Sequence, residues 1–254
     1  MTAVLELQGV SRHFGGVAAL SDVSFSLPGG AVIGLIGPNG SGKTTLMNLI
    51  SGVDAPTDGA VLLDGVPVHG LPANILARRG VARTFQHIRL IPDLTAAQNV
   101  TLALRAPLAG AFDILLRLPR LRRIELDRYA RAVELLRKVG AGQHADVPAG
   151  DLSYGDRRRV EIARALASEP RLLLLDEPAA GMTHGERAAL RDLIACLPAG
   201  GVTVLLVEHD MDLMMSVCDE IHVLNQGRPI ASGRPEEVRA NPKVIEAYLG
   251  FEDA

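Results

Sequence analysis

The spacing of apolar positions changes along the chain, and each change predicts a different element. Residues 4–10 (Val-Leu-Glu-Leu-Gln-Gly-Val) and 23–27 (Val-Ser-Phe-Ser-Leu) alternate in twos, the pattern of half-buried strands; the second stops at Pro28-Gly29-Gly30. Residues 31–36 are nearly all apolar, which predicts a strand covered on both faces. A Gly-rich loop follows, then a helix over 44–50, a strand over 59–64 and a short helix over 74–79. Between 96 and 139 no strand pattern stands out. Residues 113–118 and 126–139 have helical spacing, with Leu135 and Leu136 on the side of Val139 and Ala132. Alternation then returns: helix 156–168, strand 172–175, helix 185–197, strand 202–207, helix 211–217, strands 220–224 and 229–231, and two short closing helices. There are no repeats and no low-complexity linker. The order predicts an α/β fold with a parallel sheet, an N-terminal antiparallel β region and an all-helical insertion.

Composition narrows this. Of 254 residues, 48% are hydrophobic and 22% charged, ordinary for a globular chain, which excludes disorder as the main state. The formal net charge of −3 argues against a basic nucleic-acid-binding domain. Two cysteines, Cys196 and Cys218, are too few for a disulfide framework and fit a reducing compartment. The mean hydropathy of +0.20 raises the membrane question. The apolar runs 31–37, 172–175 and 202–207 all fall far short of the roughly 20 residues a spanning helix needs. Residues 1–10 carry Glu6 and no basic stretch, so they do not read as a signal peptide. Arg117, Arg120, Arg122, Arg123, Arg128 and Arg131 read as a solvated helical face or as a phosphate- or RNA-binding patch; Glu125, Asp127 and Glu134 break the run, and Tyr129 is the one stacking aromatic nearby.

The strongest chemical signal is Gly37-Pro38-Asn39-Gly40-Ser41-Gly42-Lys43-Thr44, a complete G-x-x-x-x-G-K-[ST] motif between a predicted buried strand and a predicted helix. Glycines let backbone N–H groups approach phosphate oxygens, and the helix N-terminus adds a positive dipole end. Gly37 through Thr45 are the expected nucleotide contacts, with Lys43 on the β- and γ-phosphates and Thr44 on Mg²⁺. The second signal is Leu172-Leu173-Leu174-Leu175-Asp176-Glu177, a buried strand with carboxylates at its C-terminal tip, the edge where parallel sheets bind ligands. Asp176 is expected in the Mg²⁺ shell and Glu177 beside an attacking water. Together the motifs predict Mg²⁺-dependent hydrolysis of a nucleoside triphosphate.

Between them stands Leu152-Ser153-Tyr154-Gly155-Asp156. Here the chain resembles the ATP-binding cassette (ABC) family, whose signature is close to Leu-Ser-Gly-Gly-Gln; Tyr154 replaces the first Gly and Asp156 the Gln. The resemblance implies a P-loop NTPase fold and one cassette over residues 1–254, with a core of 1–86 and 166–254 and a helical subdomain of 87–165. It implies ATP and Mg²⁺, and a head-to-tail dimer in which Ser153 and Gly155 contact the nucleotide held by the partner ATPase, a second copy or a related chain. Gln86 resembles the glutamine that senses Mg²⁺ and links to the helical insertion, and His209 the switch histidine on the γ-phosphate; with Glu177 and Lys43 they form the implied catalytic set, and Thr44, Gln86 and Asp176 the metal set. Phe14 stands where the family stacks an aromatic on adenine, or packs as an ordinary side chain. Thr183 stands at the usual D-loop aspartate position, where its hydroxyl could bond across a dimer.

Segments 83–90, 154–164, 176–182, 207–211 and 241–250 carry the resemblance further, to the ATPase subunit of high-affinity branched-chain amino-acid importers. That implies two membrane permeases, indirect work with a substrate-binding protein, no nucleic-acid partner, and a peripheral place on the cytoplasmic face of the inner or plasma membrane. His87, Ile88, Leu90, Ile91 and Leu94 either line a permease groove or pack internally. ATPases of urea or amide uptake and of lipopolysaccharide export share parts of the pattern. A soluble ABC ATPase acting on nucleic acid or ribosomes usually has two cassettes or a coiled-coil insertion, and this chain has one phosphate loop and one signature.

Overall fold

The computed structural model describes residues 3–105 and 119–249. The sequence-predicted helix over 113–118 lies outside the described residues. Strands β1 (Ala3–Phe14), β2 (Val17–Pro28), β4 (Asp58–Leu63) and β5 (Val66–Pro67) form an antiparallel sheet in the order β2-β1-β4-β5. The second sheet has six strands in the order β10-β9-β3-β8-β7-β6: β3 (Val32–Ile36), β6 (Val81–Arg83), β7 (Leu172–Asp176), β8 (Thr203–Val207), β9 (Glu220–Asn225) and β10 (Arg228–Gly233). All its pairings are parallel except β9–β10.

The apolar runs of β3, β7 and β8 follow from two-sided burial. Ile33, Leu35, Leu172, Leu174, Leu205 and Val207 join a core shared with the antiparallel sheet and with helices α1 (Lys43–Ile50) and α2 (Ala73–Arg78). Their neighbours Val32, Ile36, Leu173, Leu175, Val204 and Leu206 point into the opposite core. That core is closed by α3 (Ala96–Thr101), α4 (Pro119–Lys138), α5 (Tyr154–Leu166), α6 (His184–Cys196) and α7 (Met211–Val217). The predicted stripe of α4 is observed: Ala132, Leu136 and Val139 are fully or nearly fully buried, with Leu135 at the margin. Two short helices, α8 (Pro235–Arg239) and α9 (Pro242–Leu249), end the described chain.

Element limits shift slightly from expectation. β1 runs on to Phe14 because its bulged register lets it pair with both β2 and β4. β6 stops at Arg83, so Gln86 stands on a loop three residues past the strand. α5 begins at Tyr154, because Ser153 supplies its cap by accepting from the Asp156 N–H at 3.1 Å.

Candidate functional site

Four adjacent parallel strands, β3, β8, β7 and β6, end at one sheet edge, with Leu35 level with Val207 and Val207 level with Asp176. The chain leaving each tip carries the sequence-predicted groups: Gly37–Lys43 after β3, Glu177 after β7, His209 after β8 and Gln86 after β6. This is where open α/β sheets bind ligands.

The phosphate loop is set by close approach. A Cβ on Gly37 would lie 2.1 Å from the Leu224 carbonyl oxygen, so the motif's first position has room for glycine alone. Gly42, in the left-handed region, caps α1, which has no side-chain cap and no acidic residue in its first turn. Its N–H groups are left for a ligand. The Ser41 hydroxyl is buried without a hydrogen-bond partner. The Lys43 ammonium is buried and donates to the Gly37 and Pro38 carbonyls at 2.7 and 2.9 Å. Burial pushes its pKa down, opposed by the charges of Glu177 and Asp176. A cleft of about 200 Å³ opens over this loop, lined by Asn39–Thr45, Ala19, Glu177 and His209. An uncapped helix end, an unpartnered hydroxyl and a lysine bonded only to loop carbonyls make a donor set that fits a nucleotide phosphate chain.

Glu177 is gripped from two sides. Gln86 Nε2 donates to Oε2 at 3.1 Å, and His209 Nε2 lies 2.9 Å from Oε1. Its backbone has φ +46°, a sparsely populated conformation for a side chain of this kind, pinned by its N–H donating to the Val207 carbonyl at 2.8 Å. Sequence reasoning therefore named three residues that the fold brings into one hydrogen-bonded set.

Asp176 faces Arg83, whose guanidinium donates to Oδ2 at 2.9 Å and to Asn48 Oδ1 and Ser51 Oγ on α1 at 2.7 and 3.0 Å. The pair is largely buried. Arg83 thus ties the carboxylate strand to the phosphate-loop helix, a role nothing in the sequence suggested. Glu208 was also missed. Its buried carboxylate accepts the Ala179 N–H at 2.6 Å and the His209 N–H at 3.1 Å, anchoring the segment after Glu177 to the segment carrying His209. Burial raises its pKa, partly offset by these N–H donors. Its signal was a lone Glu between an apolar strand and a histidine, which reads equally well as a surface residue.

The signature residues sit apart from that cleft. Ser153 is exposed and caps α5, its hydroxyl donating to Asp156 Oδ2 at 2.7 Å. Gly155 is buried against α6: a Cβ there would lie 2.0 Å from Glu186 Oε1, so the Glu186 side chain would have to move. Thr183 caps α6 in a reciprocal box with Glu186, its hydroxyl donating to Oε2 at 2.7 Å. Phe14 is exposed at the end of β1, with the Arg12 guanidinium 4.5 Å from its ring centre and Arg12 paired to Asp54 at 2.8 Å. In the segment after Gln86, Leu90 packs on the core, while His87 and Ile91 are exposed. Among the described residues no helix is long and apolar enough to cross a membrane.

A family model described as ABC transporter matches residues 20–180, and one described as branched-chain amino acid ATP-binding cassette transporter matches residues 228–252. The chain is 45% identical over 249 residues to the high-affinity branched-chain amino acid transport ATP-binding protein LivG of Escherichia coli (strain K12), covering 97% of this chain and 98% of that one. Among solved structures, the ADP conformation of MJ1267, an ATP-binding cassette of an ABC transporter, superposes with a TM-score of 0.84 at 30% identity, covering 98% of this chain and 100% of the other. The dimeric structure of MJ0796, a bacterial ABC transporter cassette, does so with a TM-score of 0.76 at 29% identity, covering 91% and 98%. With the phosphate loop, the carboxylate strand and the signature all in place on that fold, this chain belongs to the ABC transporter family of ATP-binding cassettes.

Proposed function

We propose that this chain is the ATP-hydrolysing subunit of a membrane importer for branched-chain amino acids. The observation that carries the chemistry is the Glu177 carboxylate, held between Gln86 and His209 at the mouth of the phosphate-loop cleft. The cargo reading is supported by near full-length similarity to LivG and by the match over 228–252.

ATP binds with its phosphates on the open end of α1. Lys43 turns from the Gly37 and Pro38 carbonyls onto the β- and γ-phosphates. Thr44, Gln86 and Asp176 would hold Mg²⁺, which would supply charge neutralisation on the phosphates. Glu177 takes a proton from water as its oxygen attacks the γ-phosphorus and the bond to the ADP oxygen breaks. His209 orients Glu177 and meets the γ-phosphate. Phe14 stacks on adenine. Ser153 and Gly155 meet the nucleotide of a partner ATPase, so two nucleotides are sandwiched between two chains; the dimeric structure of the MJ0796 cassette supports pairing of two such chains. The described parts of 87–165 act as a helical subdomain and, through the segment after Gln86, meet the permeases at the cytoplasmic face of the membrane.

The test is Glu177→Gln. Turnover should fall by about 10²–10⁴-fold, with ATP still bound and an ATP-bound dimer accumulating on size exclusion. Hydrolysis at the parental rate would remove Glu177 as the base. Trapped with ATP in native membranes, the tagged variant should co-purify two different permeases and a second ATPase. A lipid-export permease pair with two copies of this chain, or ribosomes without a permease, would overturn the importer reading.

A further inference from the structure

Arg158 has no part in the mechanism above, yet it is the largest fully buried side chain among the described residues. It lies on the first turns of α5, and two of its bonds reach the backbone of the Gln86 loop. One terminal nitrogen donates to the Phe85 carbonyl at 2.7 Å and to Glu161 Oε2 at 2.7 Å. The other donates to the Gln86 carbonyl at 2.8 Å and to the Tyr154 hydroxyl at 3.2 Å. Glu161 is itself buried, and its second oxygen accepts the Arg89 N–H at 3.3 Å; Arg164, one turn on, donates to the Arg89 carbonyl. Three charged side chains of one helix thus hold the backbone on both sides of Gln86. Burial pushes the Glu161 pKa up, against the pull of Arg158.

A buried ion pair is a weak device for stability, because desolvation offsets most of the attraction, but it is a strong one for fixing geometry. Here the geometry concerns Gln86, whose amide reaches Glu177 from a loop that no strand supports. Tyr154, standing where the family signature has glycine, closes the set: it accepts from Arg158, and a Cβ on Gly181 would lie 3.4 Å from its ring.

We infer that Arg158, neutralised by Glu161, is a positioning residue for hydrolysis: it locks the Gln86 backbone to the N-terminus of α5, so that the Gln86 amide and the Ser153 cap move as one piece. The inference rests on the ATPase reading above. Neither Arg158 nor Glu161 reaches the phosphate-loop cleft, so their effect passes through Gln86.

The test is a mutant cycle on the full chain, read by steady-state ATP hydrolysis. Arg158→Met should lower kcat about tenfold while KM for ATP stays within about twofold, because the phosphate loop is untouched. Gln86→Ala should cost a similar factor, and the double variant no more than Gln86→Ala alone. Arg158→Lys keeps the charge beside Glu161 but loses the fork that spans two carbonyls, and should recover only part of the rate. If Arg158→Met does not fold, the pair Arg158→Met/Glu161→Leu, which leaves no lone buried charge, is read in its place with the same expectation. Unchanged kcat, or factors that multiply with Gln86→Ala, would overturn the positioning role while leaving the ATPase standing. No hydrolysis by the unaltered chain would overturn the ATPase reading and this one with it.

Discussion

Two helix N-termini of this molecule are expected to meet phosphate, and they are built in opposite ways. α1 is capped by a glycine, has no side-chain cap and carries no acid in its first turn. α5 is capped by Ser153 and carries Asp156, whose carboxylate bonds the Ser153 hydroxyl and is flanked by His144 at 3.5 Å and Arg159 at 3.6 Å. The first end presents unsatisfied N–H groups and positive potential, and an anion fills both needs at once. The second has its Asp156 N–H taken by Ser153 and an acid in its first turn, so it is less open to an anion. On the proposed mechanism the difference is a division of labour: α1 would bind a nucleotide alone, and α5 would add its contact only after another subunit had brought a nucleotide to it.

The largest effect should come from removing the charge that completes the α1 end. Lys43→Ala should weaken ATP binding by at least about 100-fold in calorimetry, because among the described residues Lys43 is the one lysine or arginine lining that cleft. Retained affinity would end the phosphate-loop assignment. Next, α1 can be made to resemble α5. Thr45→Asp puts an acid in the first turn, and ATP affinity should fall about tenfold or more while thermal stability without nucleotide rises slightly. Equal affinity would mean that the open N-terminus does not set binding. The smallest effect belongs to α5 itself. Ser153→Ala should cost about 1 kcal/mol of stability in denaturant unfolding and leave ATP binding by the single chain unchanged. A loss of single-chain affinity would place Ser153 in the cleft and erase the contrast.

The same contrast explains what could be read from sequence. The α1 end is specified within nine consecutive residues, by glycines and a lysine whose types the chemistry demands, and it was legible in full. So were β3, β7 and β8, whose double burial leaves only Asp176 and Thr203, at strand ends, as polar positions. The clamps were not legible. Arg83 meets Asp176 across 93 residues and Arg158 meets Phe85 across 73, and each stands in a segment with other arginines that look alike on paper. In α5, Arg158 and Glu161 share a face with Gly155 and Ile162, an opposite-charge pair at i, i+3 among apolar positions, which was the one available sign. The φ of Glu177 and the Thr183–Glu186 cap depend on how turns close between elements, which neither period nor composition encodes. Both Thr183 hydroxyl bonds run to Glu186, so the hydroxyl expected to reach across a dimer is engaged within its own chain.

The phosphate loop is also wedged by parts of the chain made much later. The Gly227 N–H, in the turn between β9 and β10, donates to the Ser41 carbonyl at 3.0 Å, and the Gly227 carbonyl accepts from the Ser21 N–H at 2.8 Å. At roughly 5–20 residues per second, the ribosome needs about 10–40 s to travel from the loop to its wedge. Through that interval the motif exists as sequence without its shape. The loop's bonds to Gly227 form only after that residue has been made, and a chain cut short before Gly227 carries the phosphate-loop sequence without them.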